Sequence, residues 1–200
     1  MVVYALWERV ARVRFPAPRQ TKCSLTLLRL HFVWSTVCYT ALMNERHRAA
    51  VAAYLILRRG DKVLLGRRQN TGWYDGWYNL PAGKIEPGEF ALDGMLREVQ
   101  EEVGITLDPA DVSFAHAMYR REIDETWVDY FFFVSDDSGK YEPINSEPDK
   151  CDELDWFPVT DLPANMIPNN RQALEGFLAG ETFTDMVGIT PEEAAVKLSL

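Results

Sequence analysis

Apolar residues recur along this chain first at strand spacing, then at helix spacing, then at strand spacing again, an order that predicts an α+β domain. Residues 49–57 are apolar and β-prone, Arg58-Arg59-Gly60-Asp61 has the composition of a turn, and residues 62–67 alternate toward a second strand, which together predict a β-hairpin. A loop rich in Gly and aromatic residues follows from 70 to 79. Over 90–103 the apolar residues Leu92, Met95, Leu96, Val99 and Val103 fall on one helical face, and Gly104 supplies a C-terminal stop, so a helix is predicted there. Further strands are predicted over 112–120, 126–134 and 154–159, and a closing helix over 171–178. Beyond Gly180 the pattern fades until a short helical stretch at 191–198.

Composition changes this picture at one seam. Residues 1–42 carry Arg9, Arg12, Arg14, Arg19, Lys22 and Arg29 against a single acid, Glu8, and the acidic surplus lies downstream. The run 25–42 is mostly apolar around Arg29 and His31, and its basic flank admits a signal-anchor reading that would place the rest of the chain outside the cytoplasm. Against that, Val13-Arg14-Phe15-Pro16 resembles the T-arm of a transfer RNA gene read as coding sequence. We therefore expect the native chain to start at Met43, with residues 1–42 a disordered extension or a start-site artefact, 43–180 the functional domain and 181–200 a tail.

With 47% hydrophobic and 12% aromatic residues in 200, the chain can bury a core. A net charge of −9 argues against binding nucleic-acid duplexes, whose phosphates attract basic surfaces. A small polyanion stays accessible if metal ions carry the positive charge. Cys23, Cys38 and Cys151 are odd in number and far apart, so neither a disulfide framework nor a zinc site is readable, and a reducing cytoplasm is the expected location.

Candidate chemistry concentrates in residues 83–105, GKIEPGEFALDGMLREVQEEVGI. On a helix Glu98, Glu101 and Glu102 share an arc roughly 100° wide, beside the apolar stripe. Like charges at these spacings destabilise a helix by a few tenths of a kcal/mol per pair, so the cluster calls for a reason. Mg²⁺, held by one or two carboxylates plus waters and substrate phosphate, is one reason; a solvated acidic face is the other.

The same stretch resembles the Nudix box: Gly83, five residues, Glu89, seven residues, Arg97-Glu98-Val99, one residue, Glu101-Glu102, one residue, Gly104-Ile105. Chance agreement at the fixed positions is on the order of 10⁻⁸ at a given start. The hairpin before the box, Trp77-Tyr78-Asn79-Leu80-Pro81-Ala82 leading into it and Trp156-Phe157-Pro158 after it extend the likeness over roughly 49–178. The resemblance implies a Nudix fold, a mixed β-sheet sandwiched between helices, with the box as loop, helix and loop. It implies a Mg²⁺-dependent pyrophosphohydrolase, with Mn²⁺ as a substitute. Glu98, Glu101 and Glu102 would be metal ligands, and one of them or Glu89 would help to deprotonate the attacking water. Arg97 would orient a carboxylate, and Gly83 would give a backbone metal contact or a tight turn. Relatives often add an acid from outside the box, for which Glu147, Asp152, Glu153 and Asp129 are candidates. Gly94, on the acid face, leaves room for the Gly83 loop or is merely tolerated.

Asn70-Thr71-Gly72, Asp75-Gly76 and Glu147-Pro148-Asp149-Lys150-Cys151 are similar to bacterial members that act on nucleoside triphosphates, releasing monophosphate and pyrophosphate. Members that remove oxidised purine nucleotides read the base with an acidic pair after a Met-aromatic-Pro run; here the place holds Met166-Ile167-Pro168-Asn169-Asn170, which departs from that pattern. Asn169 and Asn170 are substrate-binding candidates, as are Arg120 and Arg121 for phosphate or for surface ion pairs. Trp73, Tyr74 and Tyr78 are candidates for base stacking or for core packing. The alternatives are a nucleotide-sugar, ADP-ribose, dinucleotide or RNA-cap pyrophosphatase, an isoprenoid diphosphate isomerase, for which Cys151 alone is poor support, and a non-catalytic nucleotide sensor, which would be expected to lose box carboxylates. The expected partner is a nucleotide-like small molecule, without membrane contact; the resemblance also allows a homodimer.

Overall fold

In the computed structural model residues 47–199 are described; the signal-anchor and start-site expectations for 1–42 lie outside them. The hairpin forms as β1 (Ala50–Arg59) and β2 (Lys62–Arg68), with Gly60 at φ 62° in the turn, where a left-handed backbone favours glycine. From Ala52 to Leu57 every β1 residue is buried, because the strand is covered on both faces. Ala52, Tyr54 and Ile56 enter one core with Val63, Leu65, Met118 and Phe131. Ala53, Leu55 and Leu57 enter a second with Leu64, Met95, Val99 and Val134.

Helix α1 (Ala91–Val103) supplies Met95, Val99 and Val103 to the second core, and α2 (Pro168–Leu178) supplies Ala173 and Leu174 to the first. The sheet therefore lies between two helices, the sandwich expected from the sequence. Its remaining strands are β3 (Tyr78–Asn79), β4 (Ala82–Lys84), β5 (Ser113–Arg121), β6 (Thr126–Ser135), β7 (Cys151–Pro158) and β8 (Phe183–Val187). The order is β3-β2-β1-β6-β5-β8, with β1 parallel to β6 and β5 parallel to β8, which makes the sheet mixed.

A fork in this sheet positions the site. One edge of β1 runs along the whole of β6, from Ala50↔Trp127 to Arg58↔Ser135. Its other edge pairs with β2 only at Arg58↔Val63 and Arg59↔Lys62, then with β4 from Tyr54↔Ala82 to Ala52↔Lys84. Strand β2 diverges to pair with β7 and β3.

The C-terminal segment contributes β8 at the sheet edge and α3 (Pro191–Leu198), opened by a capping box between Thr190 and Glu193. Helix α2 starts at Pro168, three residues before the expected start at 171, because proline fits the first turn, where no amide donor is needed. Among the described residues no helix is long and apolar enough to cross a membrane.

Candidate active site

Arg97, part way along α1, organises the box. Its Nε donates to Glu89 Oε1 at 3.0 Å and Nη2 to Glu89 Oε2 at 3.2 Å; Nη1 donates to Glu98 Oε1 at 2.8 Å and Nη2 to the Lys84 carbonyl at 3.1 Å. Glu89 Oε2 also accepts from the Glu86 amide at 3.0 Å, and Arg97 holds the Glu89 carboxyl below its ordinary range. Glu89 is thus engaged on both oxygens, and it lies outside the acidic cavity described next.

That cavity, of about 470 Å³, is lined by Glu98, Glu101, Glu102, Glu147 and Lys150, with Arg68, Asn79 and Cys151. Glu102 Oε2 accepts from the Ala82 amide at 2.9 Å. Withdrawal from water pushes its carboxyl up to about 7, against that hydrogen bond, and Glu98 and Glu147 push the same way. Glu147 arrives on a loop that satisfies the end of α1: the Ile144 amide donates to the Val103 carbonyl and the Ser146 amide to the Glu102 carbonyl, both at 3.0 Å. Gly104, at φ 66°, packs so closely there that a Cβ would stand 2.7 Å from Ile144 and Ser146. Lys150 Nζ donates to Glu147 Oε1 at 2.7 Å. Of the acids named outside the box, Glu147 alone lines this cavity: Asp152 pairs with Arg67, and Glu153 accepts from the Tyr78 hydroxyl.

A divalent cation fits this donor set. The ligands are hard oxygens; Lys150 is drawn to Glu147 and Arg97 to Glu98, while burial, Glu98 and Glu147 disfavour the charge on Glu102 and Arg68 offsets only part of that. At Gly83 an added Cβ would stand 1.8 Å from Glu98 Cδ, so the absence of a side chain lets Glu98 lie across β4. Among the described residues no three His, Cys, Asp or Glu side chains stand together as a group that could hold a metal ion. Glu98 is drawn to Arg97, and the Glu101 side chain is 56% exposed. Such an open set suits a hard divalent cation that keeps waters and takes substrate oxygens. Gly94 makes room on the same helix: a Cβ there would meet Ile85 Cδ1 at 2.5 Å and Glu89 Oε2 at 2.8 Å.

A second cavity, also of about 470 Å³, shares Arg68 and Asn79 with the first and adds Tyr54, Trp73, Trp127, Arg120 and Asn170. Arg120 is buried; its Nε donates to Asp129 Oδ2 at 2.9 Å, Nη1 donates to Glu122, and Cζ lies 5.1 Å from the centre of the Trp127 ring. Burial raises the Asp129 carboxyl, and Arg120 offsets part of that rise. Arg121 is exposed, following the alternation of β5, and lines neither cavity. Asn169 is buried and donates to Tyr54 Oη and Asp129 Oδ2 at 3.4 Å. Asn170 accepts from the Leu80 amide at 2.8 Å and donates to Asn169 Oδ1 at 3.1 Å. Asn169 thus ties the start of α2 to β1 and β6, Asn170 ties it to the link between β3 and β4, and Asn170 reaches the second cavity. Tyr78 and Tyr74 are buried; Trp73 stands on the rim, 39% exposed.

Sequence reasoning missed Arg68. Its Nε donates to the Trp73 carbonyl at 2.9 Å and its guanidinium stacks on the Trp73 ring at 5.1 Å, yet among the described residues no carboxylate pairs with it. Burial lowers its pKa, and Glu102 and Asp75 pull the other way.

The chain matches the NUDIX domain over residues 46–177 and belongs to the Nudix family. Among curated relatives it is 28% identical to the NAD-capped RNA hydrolase NudC of Pseudomonas entomophila over 70% of this chain and 48% of that one. It is 28% identical to the human 8-oxo-dGDP phosphatase NUDT18 over 64% of this chain and 34% of that one. The match thus spans about half or less of these relatives' length. Among solved structures, the MutT NUDIX hydrolase of Burkholderia pseudomallei superposes with a TM-score of 0.57 at 27% identity, over 64% of this chain and 98% of that one. A MutT protein of Methanosarcina mazei Go1 shares the fold, with a TM-score of 0.56 at 24% identity over 68% of this chain and 98% of that one. Nudix hydrolases generally use divalent metal ions.

Proposed function

We propose that this chain is a cytoplasmic, Mg²⁺-dependent pyrophosphohydrolase that cuts a nucleoside triphosphate to monophosphate and pyrophosphate. The observation that carries this reading is the junction of an acidic cavity with an aromatic one at an arginine that no carboxylate among the described residues pairs with. A nucleotide is divided in the same way, into a flat base and a run of phosphates. In this reading the base lies near Tyr54, Trp73 and Trp127, with Asn170 at its edge, and Arg68 donates to the phosphate nearest the sugar. Arg120, committed to Asp129 and Glu122, shapes the wall instead of contacting phosphate.

Glu98, Glu101 and Glu102 hold the metal ion, and Gly83 gives Glu98 its path. When bound, the ion supplies the positive charge that the diphosphate and the attacking water require. Arg97, braced by Glu89, fixes the orientation of Glu98. The acids lining the cavity, Glu147 among them, are the groups placed to take the proton of the attacking water. Water attacks one phosphorus, the anhydride oxygen leaves with the departing phosphate, and two phosphate products result.

A dinucleotide substrate is the second reading, favoured by the similarity to a NAD-capped RNA hydrolase. The test is a panel of nucleoside tri- and diphosphates, 8-oxo-dGTP, NAD, ADP-ribose and nucleotide sugars, assayed with Mg²⁺ and with Mn²⁺. The expected result is monophosphate plus pyrophosphate from a triphosphate at the highest kcat/KM. Preferential cleavage of NAD into two monophosphates would establish the second reading, and nucleotide binding without any product would make the chain a sensor.

A further inference from the structure

The loop from residue 70 to 77 walls both cavities, and its centre is held in an unfavourable backbone conformation. Among the described residues two without glycine's freedom have positive φ, Asn70 at 55° and Tyr74 at 50°. Asparagine tolerates this region; a bulky tyrosine does not adopt it unless its surroundings impose it. The surroundings of Tyr74 are specific. It is 4% exposed, and its hydroxyl donates to the Ile189 carbonyl at 2.8 Å. It shares a small apolar cluster with Ile167 and with Ala194 of α3, and its ring meets Trp73 and Trp77 edge-on at 4.7 and 5.2 Å. The C-terminal segment, which lines neither cavity, thus shares the grip on Tyr74 with Ile167, Trp73 and Trp77.

What this grip fixes is Arg68. The Trp73 carbonyl, one residue before Tyr74, takes the Arg68 Nε hydrogen bond at 2.9 Å. The turn is closed on the Arg68 backbone: the Gly76 amide donates to the Arg68 carbonyl at 2.7 Å, the Arg68 amide to the Trp77 carbonyl at 2.9 Å, and the Trp77 amide to the Tyr74 carbonyl at 3.0 Å. We propose that Tyr74 is a positioning residue: anchored by the Ile189 carbonyl and α3, it holds the Trp73 carbonyl where it aims the Arg68 guanidinium at the substrate phosphate between the cavities. The segment that carries β8 and α3 thereby serves substrate placement. This rests on the reading of Arg68 as a phosphate contact.

The test is a double-mutant cycle in the full chain with Tyr74→Phe, Arg68→Ala and both together. It reads KM and kcat for a nucleoside triphosphate, and the Kd of the four nucleoside monophosphates by calorimetry, which needs no turnover. Tyr74→Phe keeps the ring and loses one hydrogen bond, so KM and Kd should rise about three- to tenfold with kcat within about twofold. The double variant should bind no more weakly than Arg68→Ala alone. A merely structural tyrosine would lower the melting temperature and leave KM alone, or would multiply with Arg68→Ala; either result overturns the proposal. If Arg68→Ala itself leaves Kd unchanged, the phosphate reading falls and takes the proposal with it. If Arg68→Ala weakens binding and Tyr74→Phe does not, the proposal alone falls.

Discussion

Glu102 is the residue where the site's charge is hardest to hold without a cation. Glutamine there keeps an oxygen for the Ala82 amide and removes a charge that burial, Glu98 and Glu147 all disfavour. Glu102→Gln should therefore fold with an unchanged or raised melting temperature in the absence of metal, while kcat drops by about 10³-fold or more and Mn²⁺ binding by calorimetry weakens. Turnover at the parent's rate would remove Glu102 from the ligand set. Glu89 should behave in the opposite sense. Its folded pKa lies below the ordinary 4.5, so the stability it contributes is fully present above that value and is lost as pH falls through the folded value. In Glu89→Gln the loss of melting temperature on acidification below pH 4.5 should flatten; an acid limb unchanged from the parent would show that the Arg97 pair does not couple to folding. The box residues were legible because their spacing is rigid. Arg68 was not, because the second of two adjacent arginines at a strand end gains meaning only when the fork in the sheet sets it between two cavities.

At the scale of elements, α1 and β4 form one device. Strand β4 is three residues long, too short to show alternation, and it exists because β1 offers it the edge that β2 vacates. Its middle residue, Gly83, is the floor on which Glu98 lies. Gly83→Ala should push the Glu98 carboxylate off that floor and lower kcat by about 10²-fold, a loss typical of a displacement near 1 Å, with weaker Mn²⁺ binding as the independent readout. Parent-like metal affinity in that variant would mean that Glu98 finds another path. Helix α1 was readable from the sequence because thirteen residues repeat the helical period and Gly104 ends them. Strand β8 was not, because it is a five-residue parallel edge whose partner, β5, lies far back in the chain and whose exposed positions include Asp185. A parallel pairing of that kind leaves no local turn to detect.

Across the whole molecule, the two cavities divide the work, and the division is measurable because they meet only at Arg68 and Asn79. Of these two cavities Trp73 lines the second and not the first, and it stands on the rim. If a base stacks there, Trp73→Ala should weaken nucleoside monophosphate binding about 5- to 50-fold, since a base on an aromatic ring is worth about 1–3 kcal/mol. Metal binding in the same variant should stay at the parent's value, because none of the metal-site acids lines that wall. Glu102→Gln should show the converse, with weakened Mn²⁺ binding and monophosphate affinity close to the parent's. In the double variant each loss should then keep its single-variant size, Mn²⁺ affinity as in Glu102→Gln and monophosphate affinity as in Trp73→Ala. Strong coupling between Trp73 and Glu102 would mean that the cavities form one site whose walls move together, and the two-compartment account of substrate recognition would have to be abandoned even if hydrolysis itself were confirmed.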